Sequence, residues 1–169
     1  YSAAIGTSQL VVSEDVGSMT VSPSIRLAIV GCGRVTETLH LPSLRQVAGV
    51  EVVALADVSA ERLNKLADRF HIKERHISYQ RVLENASVDA VAVCVPAHSH
   101  VQVALDVLSA GKHLFIEKPL ALRLDEADLL IECAKNSRLK AAVGFNLRQH
   151  RLVRQARRLI QEGSLGKVQ

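Results

Sequence analysis

The sequence predicts an α/β fold with a doubly wound parallel sheet, and three observations support this. From residue 25 onwards, apolar segments of strand length alternate with amphipathic segments of helix length. The segment "DAVAVCV" at 89–95 is apolar almost throughout, as strands covered on both faces of a parallel sheet are. The first predicted strand also runs into a glycine-containing loop that is followed by a helix. Strands that alternate with helices in this way form parallel sheets.

The first half of the predicted sheet has three strands, at 25–30, 50–56 and, more weakly, 76–78. A helical stretch at 36–47 should be kinked or split by Pro42. A regular helix at 60–70 is capped by Ser59, and a short helix follows the third strand. The helix at 60–70 carries four apolar residues on one face: Leu63, Leu66, Ala67 and Phe70.

The second half continues the alternation with strands at 89–95, 113–117 and 140–145. Helices are predicted at 98–111, 124–137 and 150–162. Gly111 is well suited to end the first of these, since glycine readily adopts the left-handed conformation that commonly closes a helix. The sequence therefore predicts six strands in one sheet.

Composition narrows the class of protein. Hydrophobic residues make up 48% of the chain and charged residues 22%, which is ordinary for a globular protein. No apolar run approaches the ~20 residues that a membrane span needs, so no membrane partner is expected. The three cysteines, Cys32, Cys94 and Cys133, lack metal-ligand spacing and favour a reducing, cytoplasmic location over a disulfide framework.

Positive charge is concentrated at the end of the sequence. Residues 148–169 contain six Lys and Arg residues against the single acid Glu162, whereas the whole chain has a net charge of only +4. Nucleic-acid binding is one interpretation of this run, and a solvated helix face is the other. We favour the solvated face, and expect no nucleic-acid partner, because no aromatic side chains are interleaved with the arginines.

The first 24 residues differ from the rest of the chain. They lack a basic n-region and contain two acids and six serines, so they resemble neither a signal peptide nor a transit peptide. We predict that residues 1–24 form a disordered leader. The folded region therefore begins at residue 25.

The segment "IRLAIVGCGRVTETL" at 25–39 carries the first chemical signal. Gly31, Gly33 and Thr36 occupy the positions of a G-x-G-x-x-G loop between a strand and a helix. The first glycine allows the tight turn, the second lets the backbone approach a pyrophosphate, and the helix start presents free N–H groups to it. Thr36 departs from the pattern, because the third position favours Gly or Ala for close packing. Arg34 and Val35 complete the candidate cofactor contacts of this loop.

Asp57 ends the second predicted strand, where a carboxylate can accept hydrogen bonds from an adenine ribose. Alternatively, it is a helix-flanking acid beside the Ser59 cap. A 2′-phosphate at ~4 Å would be repelled by about 4 kcal/mol per unit charge at an effective dielectric of 20. The sequence therefore favours NAD as the cofactor, with NADP possible if Arg62 compensates.

The loop "CVPAHSH" at 94–100 follows the fourth strand. Ligands of doubly wound sheets bind outside the carboxyl ends of the strands, so Val95, Pro96 and His100 are expected to line that crevice and contact the cofactor. His100 could instead be a helix-start histidine without a role. His98 and His100 form an H-x-H pair, but no third ligand is near, and no metal site is predicted.

Glu117, Lys118 and Pro119 follow the fifth strand at the same edge. Charges at the end of an apolar strand are costly unless they are paired or used. We expect Lys118 to be the catalytic group that faces a substrate oxygen beside the nicotinamide, and Glu117 to hold Lys118 or the carboxamide in place. Pro119 would fix the turn, and its bond to Lys118 is a candidate for the cis form. The alternative is an exposed turn with incidental charges.

In their order along the chain, these motifs resemble the glucose–fructose oxidoreductase, inositol dehydrogenase and rhizopine catabolism family (Gfo/Idh/MocA). The resemblance covers residues 25–169 and includes "GCGRV", "VALADVSAERL", "CVPAHSH", "AGKHLFIEKPLAL" and "VGFNLRQHRLVRQARRLIQEGSLGKV". It implies a Rossmann domain at 25–147 that binds NAD(H) or NADP(H), in an oxidoreductase acting on hydroxyl or carbonyl groups of sugars, polyols or related compounds. It also implies that Lys118 corresponds to the lysine that contacts the reacting oxygen and orients the nicotinamide.

The chain departs from the family in composition and in length. Thr36, Val95, Ala97, Gln149 and Arg151 differ from residues common in the family, which concerns cofactor contacts rather than the fold. Family members continue into a second α/β domain that holds most of the substrate pocket and the homo-oligomer interface. We expect 148–169 to be a basic helix and the start of that domain, so that most of the interface is absent. The chain would then be the truncated nucleotide-binding half of a dehydrogenase, inactive alone. The alternative is a non-catalytic dinucleotide-binding module.

Overall fold

The computed structural model describes residues 24–167, so the predicted leader, apart from Ser24, lies outside the described residues. Six strands form one sheet in the order β3-β2-β1-β4-β5-β6, and every neighbouring pair is parallel. This is the strand order of a Rossmann fold, so the predicted fold class is confirmed. The strands are β1 Ile25–Val30, β2 Val50–Ala56, β3 Glu74–His76, β4 Ala90–Val93, β5 His113–Ile116 and β6 Ala141–Val143.

Helices connect these strands in the described part of the chain. A π-helical turn, Thr36–His40, follows β1, and 3₁₀ turns lie at Ala97–Ser99 and Asn146–Gln149. The α-helices are α1 Leu41–Leu44, α2 Ala60–Phe70, α3 Tyr79–Glu84, α4 His100–Ser109, α5 Leu124–Asn136 and α6 Arg151–Gln161.

Several strands end before the apolar segments that predicted them. The pairing of β4 with its neighbours stops at Val93 and that of β5 at Ile116. Single amide bonds continue one residue further, from Cys94 to Val30 and from Glu117 to Val93, before the chains separate. The next residues along each chain therefore lie in loops beyond the carboxyl edge of the sheet.

The sheet is covered on both faces because successive strand residues point to opposite sides. In β1, Ala28 and Val30 belong to the core cluster that includes residues of α3, α4 and α5. Leu27 and Ile29 belong to the opposite cluster, which includes residues of α1 and α2. The buried residues of α2 are three of the four predicted for its apolar face: Leu63, Leu66 and Ala67.

Pro42 shapes the helix that leaves the glycine loop. Proline has no amide hydrogen, and its ring conflicts with the carbonyl of the preceding turn in a regular helix. The chain accommodates Pro42 with a wider π-turn directly before α1, and the amide of Leu41 donates to the carbonyl of Thr36, five residues earlier. The predicted interruption is thus a widened turn, a feature that often accompanies functional sites.

The basic helix α6 lies close to where the sequence predicts it, and none of its residues is buried. His150 precedes it and accepts a hydrogen bond from the amide of Leu152 at 3.3 Å, which satisfies one free amide at the helix start. Among residues 24–167, no helix is long and apolar enough to cross a membrane. The domain boundary at 147 stays a prediction.

Candidate functional site

A cleft of about 690 Å³ opens at the carboxyl ends of β1, β2 and β4. Ligand binding at this edge is expected of a doubly wound sheet, because the strand order reverses between β1 and β4. The structure brings most of the predicted cofactor residues together in the lining of the cleft, and these are Gly31, Gly33, Arg34, Val35, Asp57, Val95 and Pro96. His100, Glu117 and Lys118 do not line it.

The two glycines of the loop serve different needs. Gly31 has a φ of +105°, and a Cβ there would lie 2.3 Å from the carbonyl oxygen of Cys94. Only glycine fits that conformation and that approach. Gly33 has an ordinary φ, and a Cβ there would meet nothing within 4 Å. The protein's own packing therefore requires Gly31, whereas the space at Gly33 is left open towards the cleft.

Thr36 fits the third position of the loop although it is larger than the usual residue. Its side chain is fully buried, and its hydroxyl donates to the carbonyl oxygen of Gly31 at 2.6 Å. The polar atom is thus satisfied, and the bond ties the helix to the turn that Gly31 makes.

The carboxylate of Asp57 organises the loop from the end of β2. One oxygen, Oδ2, accepts a hydrogen bond from the amide of Cys32 at 2.7 Å. The other, Oδ1, accepts from the amide of Ser59 at 2.7 Å and from Arg62 Nη2 at 2.9 Å. Burial acts to raise the pKa of Asp57, but the two amides and the guanidinium outweigh it and hold the pKa below its ordinary value. Asp57 is therefore an ionised acid that tethers the glycine loop.

Arg62 covers Asp57 from the solvent side. The Asp57 side chain is only 7% exposed, whereas that of Arg62 is 55% exposed, and both line the cleft. Ser59 also caps α2, its hydroxyl accepting from the Arg62 amide at 3.4 Å. The two interpretations of Asp57 are thus compatible, since it flanks the helix cap and faces the cleft at once.

Tyr79 is a cleft residue that the sequence analysis missed. Tyr79 lines the cleft, as Ile77 and Val103 do, and its hydroxyl donates to Asp106 Oδ2 at 2.6 Å. Burial and this hydrogen bond raise the pKa of Tyr79 to about 12, so the hydroxyl stays protonated. The available signal was an aromatic residue at the start of the helix after β3, at the same edge of the sheet.

The loop cysteines are not nucleophiles. Cys32 and Cys94 are both buried and free. Burial is the largest cause that raises the pKa of each thiol to about 12, and the neighbouring carboxylates of Asp57 and Glu117 add to it. A thiolate, the reactive form, is therefore disfavoured at both positions.

His100 is a buried tie between two loops. Its Nδ1 lies 2.6 Å from the carbonyl oxygen of Pro119, and its Nε2 lies 2.9 Å from that of Val95. Both ring nitrogens are therefore engaged within the protein, which leaves neither free for a metal shared with His98. Direct contact of His100 with a cofactor stays a prediction.

Lys118 lies in a turn that is exposed to solvent. The Lys118–Pro119 peptide bond is cis, which confirms the prediction for this turn. The amide of Lys118 donates to Glu117 Oε2 at 3.0 Å, so Glu117 holds the backbone of the lysine. The catalytic role of Lys118 stays a prediction.

Glu117 has a second partner that sequence reasoning did not find. Its Oε1 lies 2.8 Å from Nε2 of His40, in the π-turn that follows the glycine loop. The two side chains are 12% and 14% exposed, and both line a separate cleft of about 450 Å³ beside β5 and β6. A histidine at the end of the helical turn after the glycine loop was the only signal for this contact.

Comparison with known proteins adds independent information about the family and the fold. Residues 25–145 match the model of the Gfo/Idh/MocA family, described as an oxidoreductase family with an NAD-binding Rossmann fold. The chain is 29% identical to myo-inositol 2-dehydrogenase of Thermotoga maritima, over 85% of this chain and 42% of that protein.

Solved structures agree with this match. KijD10, a 3-ketoreductase from Actinomadura kijaniata in complex with NADP and TDP-benzene, superposes with a TM-score of 0.77 at 32% identity, over 83% of this chain and 43% of that one. The apo scyllo-inositol dehydrogenase of Lactobacillus casei superposes with a TM-score of 0.80 at 26% identity, over 86% and 43%. The chain spans less than half the length of these relatives.

Proposed function

The chain belongs to the Gfo/Idh/MocA oxidoreductase family, and from this we propose that it is the dinucleotide-binding domain of an NAD(P)-dependent enzyme. The enzyme would oxidise or reduce hydroxyl or carbonyl groups of sugars, polyols or related small molecules. The observation that carries the proposal is that Gly33, with open space beside its Cα, and the buried carboxylate of Asp57 line the same cleft. This cleft lies where the strand order of the sheet reverses.

Each part of a dinucleotide would meet matching chemistry in this cleft. The adenine ribose would lie against Asp57, with the adenine near Val58 and Tyr79. The pyrophosphate would approach the loop at Gly33, where no side chain intervenes, and would meet the start of the following helical segment, where helices leave amides without intrahelical partners. The nicotinamide half would extend past Val95 towards the end of β5.

We propose that NAD(H) is preferred over NADP(H). Asp57 is ionised, and its charge would repel a 2′-phosphate. Arg62 reduces that repulsion because its guanidinium pairs with Oδ1 at 2.9 Å, and its exposure leaves it free to turn towards a phosphate. NADP(H) would therefore bind through Arg62, but less tightly.

In the proposed reaction, the bound nicotinamide supplies the hydride acceptor or donor. Lys118 would donate a hydrogen bond from its ammonium to the reacting oxygen of the substrate. That oxygen gains negative charge as a hydroxyl is oxidised or a carbonyl is reduced, and a fixed positive charge stabilises it. Glu117 would keep the lysine turn in place through the amide of Lys118.

We also propose a cytoplasmic location, since Cys32, Cys94 and Cys133 are free thiols, and unpaired cysteines fit a reducing compartment.

The proposal is tested by calorimetric titration of the purified chain with NADH, NADPH and, as a control, ATP. We expect NADH to bind most tightly and ATP to bind more weakly, because ATP lacks the nicotinamide half. If neither dinucleotide binds, the proposal is wrong.

A second assay separates binding from turnover. The chain is incubated with NAD and a panel of polyols and sugars while the absorbance of reduced nicotinamide is followed. We expect no turnover by this chain alone, because proton transfer by a positioned acid or base is worth about 10²- to 10⁴-fold, and in the described part of the chain no such group is hydrogen-bonded to the Lys118 ammonium. Steady NADH production that is lost in Lys118→Ala would contradict this expectation.

A further inference from the structure

We propose that His40 is a positioning residue that directs Lys118 by fixing the carboxylate of Glu117. The inference rests on the proposed function, because it concerns the lysine that would act on the substrate. His40 belongs to the helical segment that would bind the phosphates of the cofactor. We assign it a role at the nicotinamide end.

Lys118 itself gains little direction from its surroundings. It is exposed, and within residues 24–167 the hydrogen bond that holds it runs from its amide to Glu117 Oε2. The direction of the lysine therefore depends on the backbone turn, and the amide bond makes that turn depend on the position of the Glu117 carboxylate.

Glu117 is held by a separate partner on each oxygen. Oε2 accepts from the Lys118 amide at 3.0 Å, while Oε1 lies 2.8 Å from His40 Nε2. The Glu117 side chain is only 12% exposed, so a carboxylate oxygen that stayed there without a hydrogen-bond partner would cost free energy. If His40 were replaced by a residue without a donor, Glu117 would turn towards solvent and release the Lys118 amide.

His40 has little freedom to move. Its ring packs edge-on against Phe115, with centroids 5.6 Å apart and an interplanar angle of 78°. The backbone of Gly144 packs closely against Phe115 and Glu117, since a Cβ on Gly144 would lie 3.1 Å from the Phe115 ring and 3.3 Å from Glu117 Oε1. The acid, the histidine and the aromatic ring thus form one packed unit.

This unit joins two ends of the site that are distant in sequence. His40 belongs to the π-turn that follows the glycine loop, whereas Glu117 directly follows β5. The far side of the lysine turn is tied independently, by His100 to the carbonyl of Pro119. Loss of His40 therefore leaves the turn attached at one end, and we expect misdirection of Lys118 rather than unfolding.

The test compares three variants of the full chain. His40→Leu keeps the bulk and removes the donor, and His40→Gln keeps an N–H at a similar reach. Glu37→Gln is the matched control, because Glu37 lies on the same turn but pairs with Lys65 and Arg69 on its outer side. If His40→Leu does not fold, His40→Asn replaces it, since its amide is too short to reach Glu117.

The first readout needs no ligand. Hydrogen exchange of the Lys118 amide, followed by NMR, should be roughly tenfold faster in His40→Leu, as expected for loss of one charge-assisted hydrogen bond. His40→Gln should restore most of the protection, and Glu37→Gln should leave it unchanged. Unchanged exchange at Lys118 in His40→Leu would overturn the proposal, whatever the chain binds.

The second readout distinguishes positioning from a general structural role. NADH should bind His40→Leu roughly tenfold more weakly than the unmutated chain, because a misdirected Lys118 would lose the charge-assisted contact by which it orients the nicotinamide. ADP-ribose lacks the nicotinamide and should bind both proteins equally. An equal loss for NADH and ADP-ribose would assign His40 to the fold alone. Failure of the unmutated chain to bind NADH would overturn the proposed function, while the exchange measurement would still decide the role of His40.

Discussion

Replacement of Gly33 by alanine should separate the binding role of the loop from its folding role. The added methyl group would meet no atom of the protein within 4 Å, and the residue has no positive φ to strain. The folded state should therefore accept it. Stability should stay constant or rise by about 0.4–1 kcal/mol, because alanine restricts the unfolded chain more than glycine does.

Binding should respond in the opposite direction. The methyl group would occupy the space through which a pyrophosphate reaches the loop amides, whose hydrogen bonds need a donor–acceptor distance of about 2.9 Å. Loss of one charge-assisted hydrogen bond costs about 1.5–3 kcal/mol. Gly33→Ala should therefore bind NADH about 10- to 150-fold more weakly, at 1.4 kcal/mol per factor of ten.

Gly31→Ala is the matched control two residues away. Its Cβ would lie 2.3 Å from the Cys94 oxygen at a φ of +105°, so the fold itself should suffer. We expect a loss of at least about 2 kcal/mol in the free energy of unfolding.

Urea denaturation and calorimetric titration of both variants provide the assay. If Gly33→Ala binds NADH as tightly as the unmutated chain, the loop does not meet the phosphates and the reasoning fails. If Gly33→Ala loses as much stability as Gly31→Ala, the methyl group clashes with the protein, and the space beside Gly33 is not open.

Three further predictions follow from neighbouring contacts. Arg62→Ala should weaken NADPH binding at least about tenfold more than NADH binding, because one charge-assisted contact to the 2′-phosphate is lost; calorimetry measures both, and equal losses would exclude that contact. Thr36→Val should lower the free energy of unfolding in urea by about 1–3 kcal/mol, since it leaves the buried Gly31 carbonyl without its donor; an unchanged midpoint would contradict this. Arg26, chiefly through its side-chain hydrogen bond, lowers the pKa of Asp89 from 3.8 to about 2, so the stability that Asp89 adds is complete above pH 4 and lost as the pH falls towards 2. Asp89→Asn should therefore destabilise the protein at pH 6 and much less near pH 2 in acid titrations followed by circular dichroism, and a difference that does not change with pH would refute the linkage.

Local patterns in the sequence were enough to predict the order and type of the elements. The predicted bounds of β1, β2 and α2 agree with the structure to the residue, because apolar periodicity and the Ser59 cap are local signals. The rule that parallel strands present their carboxyl ends at one edge then brought seven predicted residues to one cleft, without any knowledge of distances. The ends of the strands were predicted less well where an apolar segment continues beyond the last paired residue, as after Val93 and Ile116.

The tertiary structure alone decided which atoms meet. Asp57 tethers the Cys32 amide across 25 residues, and His40 reaches Glu117 across 77. The ring nitrogens of His100 lie within hydrogen-bond distance of carbonyls from two loops, contacts that the sequence did not predict. Local patterns specify which face of a strand or helix is apolar, but the contact between two polar side chains depends on sheet register and helix orientation. Those are set by the packing of the whole core, so no short segment of the sequence contains them.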